Sequence, residues 1–167
     1  MKRVMIIGQP GAGKSTLARD MGARTGLPVV HIDQIHWMPG WQERPTPEKG
    51  RLCAEVHARE RWIFEGGHSR TWGERLDRAD TLIWLDFPLW LRCWRVAKRT
   101  LRHYGRTRPD LPDNCPERFS LEFWKWIWNT RHTSRAGMQR LFDGAPAGKT
   151  KLRLRTPGEV SAYLASL

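Results

Sequence analysis

The sequence is short of acid. Its 167 residues hold 17 Asp and Glu against 29 Lys and Arg, a formal net charge of +12 and a pI of about 10.6. Such a balance favours anionic partners, either phosphorylated small molecules or nucleic acid. Cysteine is scarce and odd in number: Cys53, Cys93 and Cys115 lie far apart, with no C-x-x-C pair. That excludes a disulfide framework and the usual zinc spacings. Free thiols point to a reducing, cytoplasmic compartment. No apolar run approaches the roughly 20 residues that a membrane span needs. The chain enters a strand within its first residues, so no secretory signal is expected. It carries no N-K-x-D base-reading motif, which argues against a GTPase, and it is too short for a motor ATPase. Helix-turn-helix, zinc and RNA-binding signatures are also missing. No repeat and no low-complexity tract is visible.

What is there begins at residue 8. Gly8-Gln9-Pro10-Gly11-Ala12-Gly13-Lys14-Ser15-Thr16 fits G-x-x-x-x-G-K-[ST] at every fixed position. Arg3 to Ile7, ahead of it, is a short apolar run that reads as a buried strand. Leu17 to Arg24, after it, reads as a helix. Strand, glycine loop and helix is the arrangement that cradles a triphosphate. The glycines let backbone N–H groups turn inward, and the helix N-terminus adds positive potential. In this pattern Lys14 reaches the β- and γ-phosphates, and Ser15 ligates Mg2+. ATP and Mg2+ are therefore the expected cofactors. Base preference between ATP and GTP is not readable, nor is the oligomeric state.

At this length one domain over 1–167 is expected. Further short strands are predicted at Leu27–Ile32, Arg61–Phe64, Thr81–Leu85 and Lys149–Arg155, with helices between them. The alternation gives an α/β fold of three layers, a parallel sheet of five strands covered on both faces. Gln34 to Pro47 reads as a loop rich in Trp and Pro, and 34–60 as the acceptor-binding region. The helix after Pro88 carries an apolar stripe of Leu89, Trp90, Cys93, Trp94, Ala97 and Leu101. Arg92, Arg95, Arg99 and Arg102 form a basic face on the same helix, and Arg131 and Arg135 follow a Pro/Gly-rich loop. Two arginine clusters flanking one loop make 92–135 a candidate lid, which brings Arg95, Arg99, Arg131 and Arg135 to the phosphates. Phe119 to Asn129 is a helix with almost no polar face. Ten tryptophans are many for this length, as core or as the lining of a site.

Three carboxylates end strands: Asp33, Glu65 and Asp86. In open parallel sheets, ligands bind at that edge. Glu65 is favoured for the metal and Asp33 for contact with, or deprotonation of, an acceptor. Asp86 fits the apolar-run-then-Asp pattern and equally suits a helix-capping role ahead of Pro88. Phosphoryl transfer asks for positioning, Mg2+ and positive charge. The residues present fit a phosphotransferase that moves the γ-phosphoryl group of Mg-ATP to a small acceptor, either a nucleoside monophosphate or a hydroxylated metabolite. The alternative is a nucleic-acid-binding regulator with a P-loop nucleotide site and weak ATPase activity. A membrane partner is not expected.

Several segments carry a family resemblance. They are Ile6 to Thr16, His31-Ile32-Asp33 with Trp37 and Pro39-Gly40-Trp41, Gly67-His68-Ser69-Arg70-Thr71, Leu85-Asp86-Phe87-Pro88, Gly105-Arg106-Thr107-Arg108-Pro109 and Cys115-Pro116-Glu117-Arg118. In these the chain resembles, nearly end to end, the adenylate-kinase-like P-loop kinases known as DNA-topology-modulation (FlaR-type) proteins. The resemblance implies strand order 2-3-1-4-5, an acceptor region after strand 2 and a lid in the second half. By the same analogy Arg155 and Pro157 lie beside the nucleotide base. Two departures stand out. Glu65-Gly66-Gly67-His68 replaces an Asp-Gly-Asn-Tyr-like segment, and the Asp-Gly-Phe-Pro-Arg segment of true adenylate kinases is missing. Gly66-Gly67 leans toward the small kinases of hydroxylated metabolites.

Overall fold

In a computed structural model, which describes residues 1–167, β1 (Arg3–Gly8) is the middle strand of the sheet. Its apolar run is buried on both faces, as a central parallel strand requires. The P-loop follows, then α1 (Lys14–Thr25), β2 (Val29–His31) and the short helix α2 (Ile32–His36). Strands β3 (Trp37–Met38) and β4 (Gln42–Glu43) form a small hairpin ahead of α3 (Thr46–Ala58). The chain continues through β5 (Trp62–Glu65), α4 (Trp72–Arg78) and β6 (Thr81–Leu85) to α5 (Leu89–His103). It ends with α6 (Leu121–Asn129), α7 (Arg131–Asp143), β7 (Thr150–Leu154) and α8 (Pro157–Ala165). The main sheet is parallel throughout, in the order β2-β5-β1-β6-β7. Counting only its own strands, this is the expected 2-3-1-4-5.

Alternation along the strands divides the core. Met5, Ile7, Trp62, Phe64, Leu82 and Trp84 point to one face, where Cys53, Val56, Leu76 and Met138 from α3, α4 and α7 cover them. Val4, Ile6, Ile63, Ile83 and Leu85 point to the other, under Leu17, Ala18 and Met21 of α1. Val160, Tyr163 and Leu164 of α8 pack on that second face. Thr156 caps α8, its side chain accepting from the Glu159 amide at 3.1 Å. No helix is long and apolar enough to cross a membrane.

Two local expectations come out differently. The segment after Asp33 is not a plain loop but α2 and the β3–β4 hairpin, with Gly40 at the turn at φ +80°. On α5 the apolar stripe does not face the core. Trp90, Trp94 and Leu101 are 70%, 62% and 81% exposed, while Arg92, Val96 and Thr100 are the buried positions. The reason is what this helix packs on. A Cβ at Gly11 would lie 2.3 Å from the Arg92 carbonyl oxygen, so the helix sits directly on the P-loop. Arg92 turns inward with it, donating to the Phe87 and Pro10 carbonyls at 3.2 and 3.3 Å. The P-loop is backbone and offers acceptors, so it takes an arginine face in preference to an indole face.

Exposed indoles on α5 contribute little to folding. Replacing Trp94 with Gln is expected to change the unfolding free energy by less than about 0.5 kcal/mol. Trp84→Ala, at a fully buried position, is expected to cost about 3–5 kcal/mol. Urea denaturation of the two variants checks the contrast.

Candidate active site

The carboxyl ends of β1, β2 and β5 meet at a cleft of about 1580 Å3. The P-loop forms one wall. Gly13 starts α1 at φ +91° with no side-chain cap, so the first-turn amides are left for an anion. Lys14 folds back over the loop, with Nζ 3.4 Å from the Gln9 carbonyl. Arg95 also caps the loop. It donates to the Ala12 carbonyl at 3.1 Å, and its guanidinium lies 4.7 Å from the Phe87 ring centroid. Thr16 and Pro157 line the same cleft.

Ser15 and Glu65 meet at the floor. The Ser15 hydroxyl donates to Glu65 Oε1 at 2.9 Å. The same oxygen lies 2.7 Å from His31 Nδ1 at the end of β2. A carboxylate only accepts, so that nitrogen carries the hydrogen in the pair. Two hard oxygens suit Mg2+, which keeps waters and substrate phosphate oxygens as its other ligands. No group of three or more His, Cys, Asp or Glu builds a closed metal cage. Ser15 and Glu65 therefore fit the ion that the P-loop pattern implies.

Asp33 faces the cleft from the first turn of α2. Its carboxylate accepts no side-chain or backbone hydrogen bond. Burial, then the nearby Glu65 charge, raises its pKa to about 6, against the pull of Lys14. The same cleft is lined by His36, Trp37, Trp41, His68 and Trp72. Burial and the neighbouring Lys49 hold both imidazoles below their usual range. Arg75, fully buried under the Phe64 ring, donates to the Gly66 carbonyl at 3.2 Å and fixes the turn after β5. Gly66 sits at φ +117° against Ile32, which brings the Glu65 and Asp33 segments together.

The segment between α5 and α6 closes one side. Glu117 is buried and accepts from Arg99, Thr100 and Arg108 at 3.2, 3.0 and 2.9 Å. Asp110 accepts from Arg108 and pairs with Arg19 at 3.6 Å. This segment is docked on the hairpin. Trp41 donates to the Pro116 carbonyl at 3.1 Å, Gly40 to the Asn114 carbonyl at 3.2 Å, and the Trp41 amide meets Cys115 Sγ at 3.3 Å.

The cleft brings together most of the residues singled out from sequence: the loop from Gly8 to Thr16, Asp33, Glu65, Arg95, Arg99 and Pro157. Arg131, Arg135 and Arg155 do not line it; they border a second, smaller pocket. Arg135 is held by Asp86, with Nε and Nη2 at 2.8 and 2.9 Å from its two oxygens. Arg153 binds Asp86 as well, at 2.6 Å. Burial alone would push the Asp86 carboxyl up, but the two guanidiniums outweigh it and hold it below the usual range. Asp86 thus anchors α7 to the sheet and does not reach the cleft. Sequence reasoning missed His31, Glu117, Arg108 and Arg75 as parts of the site. His31 stands two residues from Asp33, which hinted at proximity but not at its contact with Glu65. Nothing in the spacing of Glu117 reveals that three donors converge on it.

Comparison with solved structures agrees with this architecture. A shikimate kinase from Acinetobacter baumannii in complex with shikimate superposes with a TM-score of 0.56 at 14% identity, over 99% of this chain and 90% of that one. A shikimate kinase from Bacteroides thetaiotaomicron gives 0.56 at 17% identity, over 99% and 95%. A gluconokinase from Sinorhizobium meliloti 1021 gives 0.54 at 15% identity, over 99% and 93%. Neither family models nor curated proteins gave a match. At these identities the likeness is one of fold: the chain has the P-loop kinase fold.

The Gly66 turn holds the two carboxylate segments in register. A Cβ there would lie 2.1 Å from Ile32 Cγ2. Gly66→Ala is expected to cost about 2 kcal/mol or more through strain and overpacking, measured as a fall in the urea midpoint.

Proposed function

We propose that the chain is a Mg-ATP-dependent kinase that phosphorylates a hydroxyl group of a small acceptor. The observation that carries this is Asp33. A carboxylate without a partner faces the same cleft as Lys14, Ser15 and Glu65. A carboxylate so placed can take the proton of an incoming hydroxyl. The P-loop amides and Lys14 hold the triphosphate. Bound Mg2+ would neutralise charge on the β- and γ-phosphates, with Ser15 and Glu65 as its protein contacts. The acceptor hydroxyl lies against Asp33, its oxygen aimed at the γ-phosphorus. As the new P–O bond forms and the bond to the β-phosphate oxygen breaks, the hydroxyl proton passes to Asp33 and ADP leaves. Arg95, on the loop, and Arg99, at the lid, supply positive charge to the phosphoryl oxygens. Trp37, Trp41 and Trp72 exclude water from the acceptor end.

The shikimate kinase and gluconokinase folds support an alcohol acceptor over a nucleoside monophosphate. Gly66-Gly67, beside Asp33, supports the same choice. Membership among the FlaR-type kinases is part of the proposal, supported by His31, Asp33, Trp37, Trp41 and His68 gathering at one site. Action in the cytoplasm goes with it, since all three cysteines are unpaired. The nucleic-acid alternative gains no observation of its own. Arg92, Arg95, Arg99, Arg108 and Arg153 are turned inward onto backbone or carboxylates and not outward along a groove.

The test is an acceptor screen with Mg-ATP across hydroxylated metabolites and nucleoside monophosphates, following ADP above background. At least one acceptor should raise ADP formation well over the basal rate, and Lys14→Ala should abolish that rise while keeping the native circular dichroism spectrum. A rise that persists in Lys14→Ala would refute the assignment. A second expectation concerns pH. Asp33 must be ionised to take a proton and its pKa is about 6, so turnover should climb with pH through about 6 and level off above it. A rate that is flat from pH 5 to 8 would exclude Asp33 as the base.

A further inference from the structure

Five arginines border the second pocket, a space of about 600 Å3: Arg92, Arg131, Arg135, Arg153 and Arg155. One acid, Asp86, shares it. Gln9 is the one P-loop residue common to this pocket and the cleft. Asp86 is already full, with Arg135 on both oxygens and Arg153 on Oδ2. The remaining guanidiniums hydrogen-bond only to neutral groups, and of the three only Arg92 also feels the Asp86 charge. Arg92 is 3% exposed and spends Nε and Nη1 on carbonyls, which leaves Nη2 without a hydrogen bond. Arg131 gives Nη1 to the Trp128 carbonyl and lies 4.0 Å over the Trp128 ring centroid. The Arg155 guanidinium has no hydrogen-bond partner, and only its backbone amide is engaged, with Glu159. Carbonyls satisfy N–H groups but cancel no charge. Guanidiniums drawn together in this way, one of them buried, call for an anion.

We infer that this pocket is a binding site for an oligophosphate anion, separate from the site of phosphoryl transfer. Guanidinium forks match phosphate oxygens two by two. The unmatched charge and the space both exceed what one orthophosphate fills, which favours two or more linked phosphoryl groups. Two sources share that chemistry: inorganic diphosphate, or the phosphate tail of a second nucleotide. The pocket is also tied to the P-loop. Gln9 Nε2 donates to the Arg131 carbonyl at 2.9 Å, and Arg92 holds the Pro10 carbonyl. An anion bound here therefore braces the outer wall of the loop. The site does not depend on the acceptor reaction and stands or falls apart from it.

Equilibrium dialysis of the full chain against labelled diphosphate at physiological salt tests the site. Wild type should bind at two sites. Lys14→Ala, with the P-loop weakened, should keep one of them. Arg155→Glu changes an exposed side chain and should weaken that remaining site by about tenfold or more, while Arg155→Lys restores most of it. Arg131→Gln should act in the same direction, so the test does not hang on one variant. Repeating the Lys14→Ala titration with ADP separates the sources. Binding of ADP as tight as diphosphate points to a nucleotide tail, and binding of diphosphate alone points to the inorganic anion. A single site in wild type that vanishes in Lys14→Ala would overturn the proposal. So would a second site indifferent to both Arg155→Glu and Arg131→Gln.

Discussion

Glu65 is 2% exposed, and one of its oxygens serves two neighbours from opposite sides of the cleft. Ser15 reaches it from the start of α1, and His31 from the end of β2. The P-loop and the end of β2 are thereby joined through a single buried group on β5. Hydrogen bonds in so dry a place are strong when made and costly when lost. The same charge raises the proton affinity of Asp33 toward neutrality. In the proposed reaction, one carboxylate thus touches both the nucleotide side and the acceptor side.

The arginines around the cleft do structural work that their number alone would not suggest. Arg92 and Arg95 bind carbonyls of the P-loop, and this turns the polar face of α5 inward. Its tryptophans are left in solvent as a result. Arg99 and Arg108 converge on Glu117, and Arg135 and Arg153 converge on Asp86. A chain with 29 basic and 17 acidic residues cannot give each basic side chain a carboxylate of its own. It uses backbone oxygen for several and leaves an excess of positive charge at the mouths of its pockets.

Much of this was legible in the sequence, for identifiable reasons. The P-loop declares itself because glycines, Lys14 and Ser15 must stand at fixed spacing to hold a triphosphate. Arg3–Gly8, Trp62–Glu65 and Thr81–Leu85 are short, apolar and buried on both faces, so they read as strands. Asp33 and Glu65 stand where such strands end. What could not be read was orientation. Arg131 and Arg135 share a helical face, but the sequence does not say whether that face looks to the phosphates or to Asp86. The stripe on α5 has regular helical spacing, and spacing cannot tell a protein core from a polar loop as the surface beneath it. The hairpin at Trp37–Glu43 rests on two-residue strands, too short to give a periodic signal.

Asp33, in the proposed reaction, acts on the acceptor and is not needed to hold ATP. Asp33→Asn separates the two most directly, with ATP affinity read by calorimetry and acceptor-dependent ADP formation read in parallel. The account predicts ATP affinity close to wild type and turnover with acceptor lowered by about 100-fold or more. Normal turnover with every acceptor that the wild type uses would contradict it.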